Sequence, residues 1–331
     1  MRRRDFLKIA GVGGAALMGG RLLRSRAFAQ RPKVRLGYLQ LGWAATEIIH
    51  MEDLLGKRGW DAEYSPIAGP PIDLITAYAA KKLDATDMSL WLAANMVERG
   101  IPLKITGTAT ALLGAIVVPK GSPIRDVPDI KGKKVAAIVG TTTYMDIRTQ
   151  VKHAYGFDLE KETRIVTAKG PPDLVTLLEK GEVDAMVGWQ PMSDQLVLRG
   201  HRYLIKHIDL WRKATGRKDD LPVHVIYIVH PDFIRAHPDF PKVLNDAQKE
   251  AVEIWYKDKA RALKSVIAVT KLKPEEASFA YDQTVRMMYG LTDEQIDTMI
   301  AQVRFMREAG FLKKAEWDDP AWVKREFFWR G

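Results

Sequence analysis

The chain has 331 residues, 47% of them hydrophobic, no cysteine and a formal charge of +10. That length can bury full cores in two lobes, and the absent thiols exclude disulfides, thiolate metal sites, cysteine nucleophiles and a lipid-attachment cysteine. Seven of the 51 Lys and Arg and one of the 41 Asp and Glu lie in residues 1–29, so the remainder carries 44 against 40, a net +4 without a basic cluster; this argues against nucleic acid, whose binders gather charge on one face.

Residues 1–29 read as an export address. Arg2-Arg3-Arg4-Asp5-Phe6-Leu7-Lys8 holds paired arginines, residues 9–20 are apolar but glycine-rich and too short to span a bilayer, and Ala27-Phe28-Ala29 offers small residues to a signal peptidase before Gln30. The stretch resembles a twin-arginine translocation signal, which implies export of a folded protein, cleavage near Gln30 and a periplasmic, soluble mature chain. Gly11-Val12-Gly13-Gly14 is no dinucleotide fingerprint, because no strand precedes it.

Beyond the signal, the apolar pattern predicts a strand over 33–39, a helix over 46–55 with Ile48, Ile49, Leu54 and Leu55 on one face, a strand over 60–67, a helix over 73–82 and a strand over 83–88. Residues 101–106 and 115–118 are further runs of strand length. After Pro119-Lys120-Gly121-Ser122-Pro123 the plan restarts with a strand over 134–138, a helix over 144–155 and a strand over 163–167; residues 224–230 form one more strand. Helices dominate from Pro238, including 292–309, where Thr292 and Gln295 are spaced as a capping box and Gly310 follows the end. Strands alternating with helices predict an α/β fold of mostly parallel sheets.

One module occurs twice. Gly69-Pro70-Pro71-Ile72-Asp73-Leu74 leads through a helical stretch to Leu83-Asp84-Ala85, and Gly170-Pro171-Pro172-Asp173-Leu174 leads through another to Val183-Asp184-Ala185, one hundred residues later. Proline fits the first helical turn, where its missing N–H has no partner to lose, and an aspartate there suits the helix dipole. Lys81 and Lys82 close the first helix and Gly181 the second. Both copies then enter a short strand and reach a tryptophan, Trp91 after Met88-Ser89-Leu90 and Trp189 after Met186-Val187-Gly188. A repeat of this kind predicts two lobes on one plan, with a cleft between them.

Lys120-Gly121-Ser122-Pro123-Ile124 followed by Asp129-Ile130-Lys131-Gly132-Lys133-Lys134-Val135, and Gly181-Glu182-Val183-Asp184-Ala185 followed by Trp189-Gln190-Pro191, resemble runs of the periplasmic substrate-binding proteins of the nitrate, sulfonate, taurine and thiamine-precursor group. The resemblance covers nearly the whole mature chain. It implies a two-lobed type II periplasmic-binding fold, lobe 1 from 31–115 plus 222–331 and lobe 2 from 116–221, and a monomer that serves the permease and ATPase of an ABC importer without a cofactor. It does not select the ligand.

Ligands of open α/β sheets lie beyond the carboxyl ends of strands. Those positions are Gly42 and Trp43 after the first strand, Ser89, Leu90 and Trp91 after the first module, Thr110 before the crossing, Thr141, Thr142, Thr143 and Tyr144 after Gly140, and Trp189 and Gln190 after the second module. Hydroxyls at a helix N-terminus can hold an anion without lysine or arginine, although one of the threonines would serve as a plain cap. Trp43, Trp91 and Trp189 are expected as cleft walls, with Trp60, Trp255 and Trp322 in the core. Since none of these loops supplies an arginine, a small organic sulfonate or carboxylate is expected, with a neutral heterocycle such as a thiamine-type pyrimidine as the alternative. His224 and His230 share a strand face without a third metal ligand, and His201 and His207 are expected at the surface. The thiamine-pyrimidine synthases and the chorismate-processing enzymes of menaquinone synthesis share this fold; the first need a cysteine-rich motif that is missing here, and no nucleophile motif or phosphate loop occurs. Periplasmic sensing in place of transport has the same sequence features.

Overall fold

Residues 31–40, 43–68 and 71–331 are described by the computed structural model, and the export segment and the leading Gly69-Pro70 of the first module lie outside them. Ten strands run in chain order: β1 (Lys33–Leu39), β2 (Asp61–Ile67), β3 (Ala85–Ser89), β4 (Lys104–Ala111), β5 (Ala115–Val118), β6 (Lys134–Ala137), β7 (Arg164–Thr167), β8 (Ala185–Gly188), β9 (Arg202–Lys206) and β10 (Val223–Val229). The helices between β1 and β5 are α1 (Thr46–Met51), α2 (Pro71–Ala79) and α3 (Leu90–Glu98). Between β6 and β10 come α4 (Thr142–Tyr155), α5 (Leu159–Glu162), α6 (Pro171–Glu179), α7 (Met192–Leu198) and α8 (His207–Thr215). Six more close the chain: α9 (Pro231–Ala236), α10 (Phe240–Lys257), α11 (Lys259–Thr270), α12 (Pro274–Gln283), α13 (Asp293–Glu308) and α14 (Pro320–Phe327).

The strands form two five-stranded sheets, ordered β2-β1-β3-β10-β4 and β7-β6-β8-β5-β9. Their plans match element for element. In each, three parallel strands are followed by an antiparallel one, β10 or β5, inserted before an edge strand, β4 or β9. Both sheets are therefore mixed; β10 reaches the first sheet only after the whole second sheet has been traversed, whereas β5 directly precedes β6.

The repeated aspartates anchor this plan. Asp84 accepts the backbone N–H of Arg35 at 2.8 Å and binds its guanidinium from Nε at 3.0 Å and Nη2 at 2.5 Å, while its own N–H donates to the Arg35 carbonyl. Asp184 takes the N–H of Lys134 at 2.9 Å and donates its own N–H to the Lys134 carbonyl. Each carboxylate thus ties the entrance of β3 or β8 to the start of β1 or β6. The helix ends correspond as well, with Lys81 at φ 56 after α2 and Gly181 at φ 69 after α6.

One apolar core fills the α1, α10 and α11 side of the first sheet, around Leu36, Ile48, Trp60, Tyr227, Phe240 and Trp255. A second runs from Leu90, Met96 and Ile226 of the first half to Val135, Ile147 and Val151 of the second, with α13 laid along both through Ile296, Met299 and Val303. A third lies around Ala115, Leu174, Met186 and Leu196. The capping box of α13 forms: the Thr292 hydroxyl accepts the Gln295 N–H and the Gln295 side chain accepts the Thr292 N–H.

Several boundaries differ from the sequence reading. The first helix stops at Met51 and gives way to a 3-10 turn over Gly56–Arg58, while the run expected over 101–106 becomes β4, reaching Ala111 through three threonines. Elements unmarked in the sequence are present as well, among them α3, α7, α8 and β9. His207 is not a surface residue. It opens α8 with no exposure, because its imidazole Nδ1 meets the Leu113 carbonyl at 3.0 Å and its Nε2 meets Gln150 Nε2 at 3.1 Å.

Candidate functional site

The exits of the parallel strands meet across the two halves. At the exit of β3, the Ser89 hydroxyl caps α3 by accepting the Leu92 N–H at 3.3 Å and shares a 2.8 Å hydrogen bond with the hydroxyl of Thr142, the first residue of α4. Thr141 occupies the N-cap of α4 but donates its hydroxyl to the Ile138 carbonyl at 2.8 Å, so no side chain caps the helix. The first bond into α4 runs from the Met145 N–H to the Thr141 carbonyl, leaving the amides of Thr142, Thr143 and Tyr144 ahead of it. A fourteen-residue helix with an open first turn concentrates partial positive charge at this seam. Thr143 and Tyr144 are buried, 3% and 1% exposed, and the tyrosine hydroxyl has no partner among the described residues.

At the exit of β1, Gly42 lies outside the described residues. Trp43 adopts a left-handed φ of 54°, which turns its indole inward to stand edge-on to Trp255 at 6.4 Å. Its carbonyl accepts the Thr110 hydroxyl from β4, so Thr110 holds the loop. Leu90 is buried and Trp91 packs its ring on Phe311 at 4.8 Å. Of the three rings expected as cleft walls, Trp43 and Trp91 thus enter the cores of the first half, beside the expected core residues Trp60 and Trp255; Trp189, half-buried, packs against the third core. Trp322 is partly buried against the second. Gln190 is 2% exposed, and its Oε1 has no partner among the described residues.

Asp194 joins the halves directly. It accepts the Tyr203 hydroxyl at 2.5 Å and the Thr284 hydroxyl at 2.8 Å, while neighbouring Gln195 donates to Glu276 at 3.1 Å. Burial pushes the Asp194 carboxyl up, against these hydrogen bonds.

The sequence reading did not single out the two acids that begin this region. Thr46 and Glu47 open α1, and the Thr46 hydroxyl donates to Asp87 of β3 at 2.6 Å and contacts the Tyr227 hydroxyl at 2.8 Å. Asp87 also accepts the N–H of Leu39, the last residue of β1, at 3.3 Å. Glu47 and Asp87 are each 1% exposed. Burial pushes Glu47 up to about 8, with the charge of Asp87 adding to it, and pushes Asp87 up to about 7 against the hydrogen bonds it accepts. Both Glu47 oxygens lack a partner among the described residues. The available signal was an aspartate inside the otherwise strand-like Ala85-Thr86-Asp87-Met88-Ser89, since a charge within a buried strand needs a reason.

Behind the seam, His207 and His224 stand 6.4 Å apart between ring centroids, and burial lowers them to about 4 and about 3. No group of three or more His, Asp or Glu among the described residues could hold a metal ion, and no described helix is long and apolar enough to cross a membrane.

A family model described as NMT1/THI5 like matches residues 67–262. The chain is 26% identical over 167 residues to a glutamate/aspartate import solute-binding protein of Salmonella typhimurium, covering 49% of this chain and 50% of that one. It is 27% identical over 215 residues to a putative aliphatic sulfonates-binding protein of Bacillus subtilis, covering 62% and 59%. The matched stretches therefore span only about half the length of these curated relatives. Among solved structures, the periplasmic aliphatic sulphonate binding protein of Escherichia coli superposes with a TM-score of 0.75 at 18% identity, covering 90% of this chain and 92% of that one. The periplasmic nitrate-binding protein of Synechocystis PCC 6803 gives 0.66 at 17%, covering 88% and 85%. These likenesses establish the periplasmic-binding fold.

Proposed function

The chain belongs to the NMT1/THI5 like family, and on that premise we propose that it is the solute-binding component of an ABC importer, closing two lobes around a small organic sulfonate or carboxylate. The lobes are 31–115 plus 222–331 and 116–221, and the ligand is handed to a permease and its ATPase. The protein is an exported, periplasmic monomer cleaved near Gln30, and it binds without performing chemistry. The observation that carries the reading is the open first turn of α4 at the Ser89–Thr142 contact, where unbonded amides from one half meet a hydroxyl from the other. An anion seated there is held by backbone N–H groups and the helix dipole, and no arginine is needed. Thr141, Thr142, Thr143 and Ser89 surround the anionic end, Trp189 and Gln190 flank the body, and Trp43, Leu90, Trp91, Thr110 and Tyr144 brace them from the cores.

A ligand that touches both halves favours the closed state by its differential affinity. A thermal-shift screen across sulfonates, carboxylates, nitrate and pyrimidines tests the class, because a ligand at about a hundred times its Kd adds roughly 2.7 kcal/mol. Stabilisation by alkyl or aryl sulfonates or carboxylates is expected. Stabilisation by nitrate alone, or by pyrimidines alone, overturns the assignment.

A further inference from the structure

The chain passes between the two sheets at two places, over 112–114 from β4 to β5 and over 216–222 from α8 to β10. The crossings are tied to each other, the Leu112 N–H donating to the Pro222 carbonyl at 2.9 Å. Gly114 ends the first of them in a tight place. Its φ of 126° is one that other residues rarely adopt, and a Cβ there would lie 2.6 Å from the Thr143 methyl, in the first turn of α4, and 3.0 Å from the Gly188 carbonyl at the exit of β8. The first crossing therefore packs directly on the turn that presents the open amides.

His207 fastens the two. Its backbone N–H donates to the Gly114 carbonyl at 2.9 Å, and its ring Nδ1 lies 3.0 Å from the Leu113 carbonyl. A carbonyl only accepts, so Nδ1 carries the proton. In the neutral ring Nε2 is then the acceptor, and it takes the Gln150 amide of α4 at 3.1 Å, the one hydrogen bond that this side chain makes among the described residues. Burial supports the neutral form by lowering the imidazole to about 4. Asp146 of α4, 4.0 Å from Nε2, and His224 of β10, 6.4 Å away between ring centroids, also face the ring; burial raises the first to about 8 and lowers the second to about 3, so both are uncharged at neutral pH. The ring has no exposure, and no solvent competes for either bond. Leu113 and Gly114 thereby belong mechanically to the half that carries α4. The returning crossing is held from the other half, where Gln302 of α13 donates to the Val223 carbonyl at 2.8 Å and accepts its N–H at 2.9 Å.

We infer that His207 is a positioning residue for closure, a pin through which the helix that seats the anion and the first crossing move as one body. The inference rests on the proposed two-lobed closure and is independent of the ligand class.

Because the chain has no cysteine, a nitroxide can be placed on each half without background, at Lys82→Cys and Lys180→Cys, exposed positions that follow α2 and α6. Pulsed double electron-electron resonance on the mature protein, with nothing added, then gives the distribution of distances between the halves. His207→Asn keeps a donor for Leu113 and offers Gln150 no ring nitrogen; Gln150→Met removes the same link from the other side. Each is expected to raise the population outside the main wild-type peak about fivefold, as loss of one hydrogen bond implies, and the two together should do no more than either alone. Trp211→Phe, one turn further along α8 and fully buried, is the control: it should lower Tm and leave the distribution as in the wild type. If His207→Asn does not fold, Gln150→Met carries the test. An unchanged distribution in the folded variants, or an equal broadening by Trp211→Phe, overturns the pin and leaves His207 a packing residue. Closure itself is read from the wild type: if the sulfonates or carboxylates that raise its Tm leave its distance distribution where it was, the two-lobed closure falls, and the pin with it.

Discussion

Asp84 and Asp184 perform one task at two places a hundred residues apart, each trading a pair of hydrogen bonds with the backbone of one residue near the start of the neighbouring parallel strand, Arg35 or Lys134. The difference is in what surrounds them. Asp84 adds a two-point contact to the Arg35 guanidinium and is 15% exposed at its side chain, whereas Asp184 is exposed and binds backbone alone.

Asp84→Ala should therefore cost about 2 kcal/mol, and Asp184→Ala about 1 kcal/mol, since charge-assisted and more buried bonds are worth more than exposed ones. Urea unfolding gives both values. Equal losses, or the reverse order, would show that the guanidinium contact adds nothing.

Lys81 stands where the second module has Gly181, and it holds a left-handed φ of 56°. A side chain there costs about 1 kcal/mol, and the Lys81–Asp232 ion pair that would be lost is exposed and worth little. Lys81→Gly is expected to be neutral or to raise stability by up to about 1 kcal/mol; a clear loss would mean that the ion pair outweighs the backbone strain.

Thr142→Val removes the hydroxyl that meets Ser89 while keeping the shape of the side chain. If that bond helps hold the halves together, small-angle scattering without ligand will show a larger radius of gyration than the wild type. Ligand should bind a few-fold more weakly, the equivalent of about 1 kcal/mol. An unchanged radius and affinity would assign the Ser89–Thr142 contact no part in closure.

Stability should fall with rising pH between about 6.5 and 8. Burial holds Glu47 and Asp146 up to about 8 and Asp87 up to about 7, so the folded protein keeps protons that unfolded carboxyls release near pH 4. His207 and His224, lowered to about 4 and about 3, act in the opposite sense, but only below about 6.5, where the unfolded imidazole takes up its proton. Thermal unfolding across this range should give a declining Tm, with Glu47→Gln flattening its share, at most about 1.4 kcal/mol per pH unit. A flat profile in the wild type would place these carboxyls in a wetter setting.

The architecture was largely legible because it repeats. Proline, aspartate, helix length and the second aspartate recur at fixed spacing, and both modules form as predicted within a few residues, α6 beginning at Pro171 and β8 at Ala185. Arg202-Tyr203-Leu204-Ile205-Lys206 escaped notice as a strand because it is only half-buried at a sheet edge, which weakens the alternation that marks a strand. Glu47 could not be distinguished in sequence from an ordinary acid at a helix start, where the dipole welcomes one. Its burial comes from α10 and α11, two hundred residues further along. The inward turn of Trp43 likewise depends on Thr110 and Trp255, partners that no local pattern reveals.

The inserted strands set an order of assembly. All five strands of the second sheet lie between Ala115 and Lys206, whereas the first sheet leaves β4 without its neighbour until Val223–Val229 has been made. As the chain emerges from the ribosome, the later half of the repeat can complete its sheet while the earlier half waits, with one edge of β3 and the whole of β4 unpaired and open to wrong partners. The amino-terminal portion is thus the last to become whole, and anything that recognises the nascent chain by its exposed strand edges has the whole interval from Ala111 to Val229 in which to act.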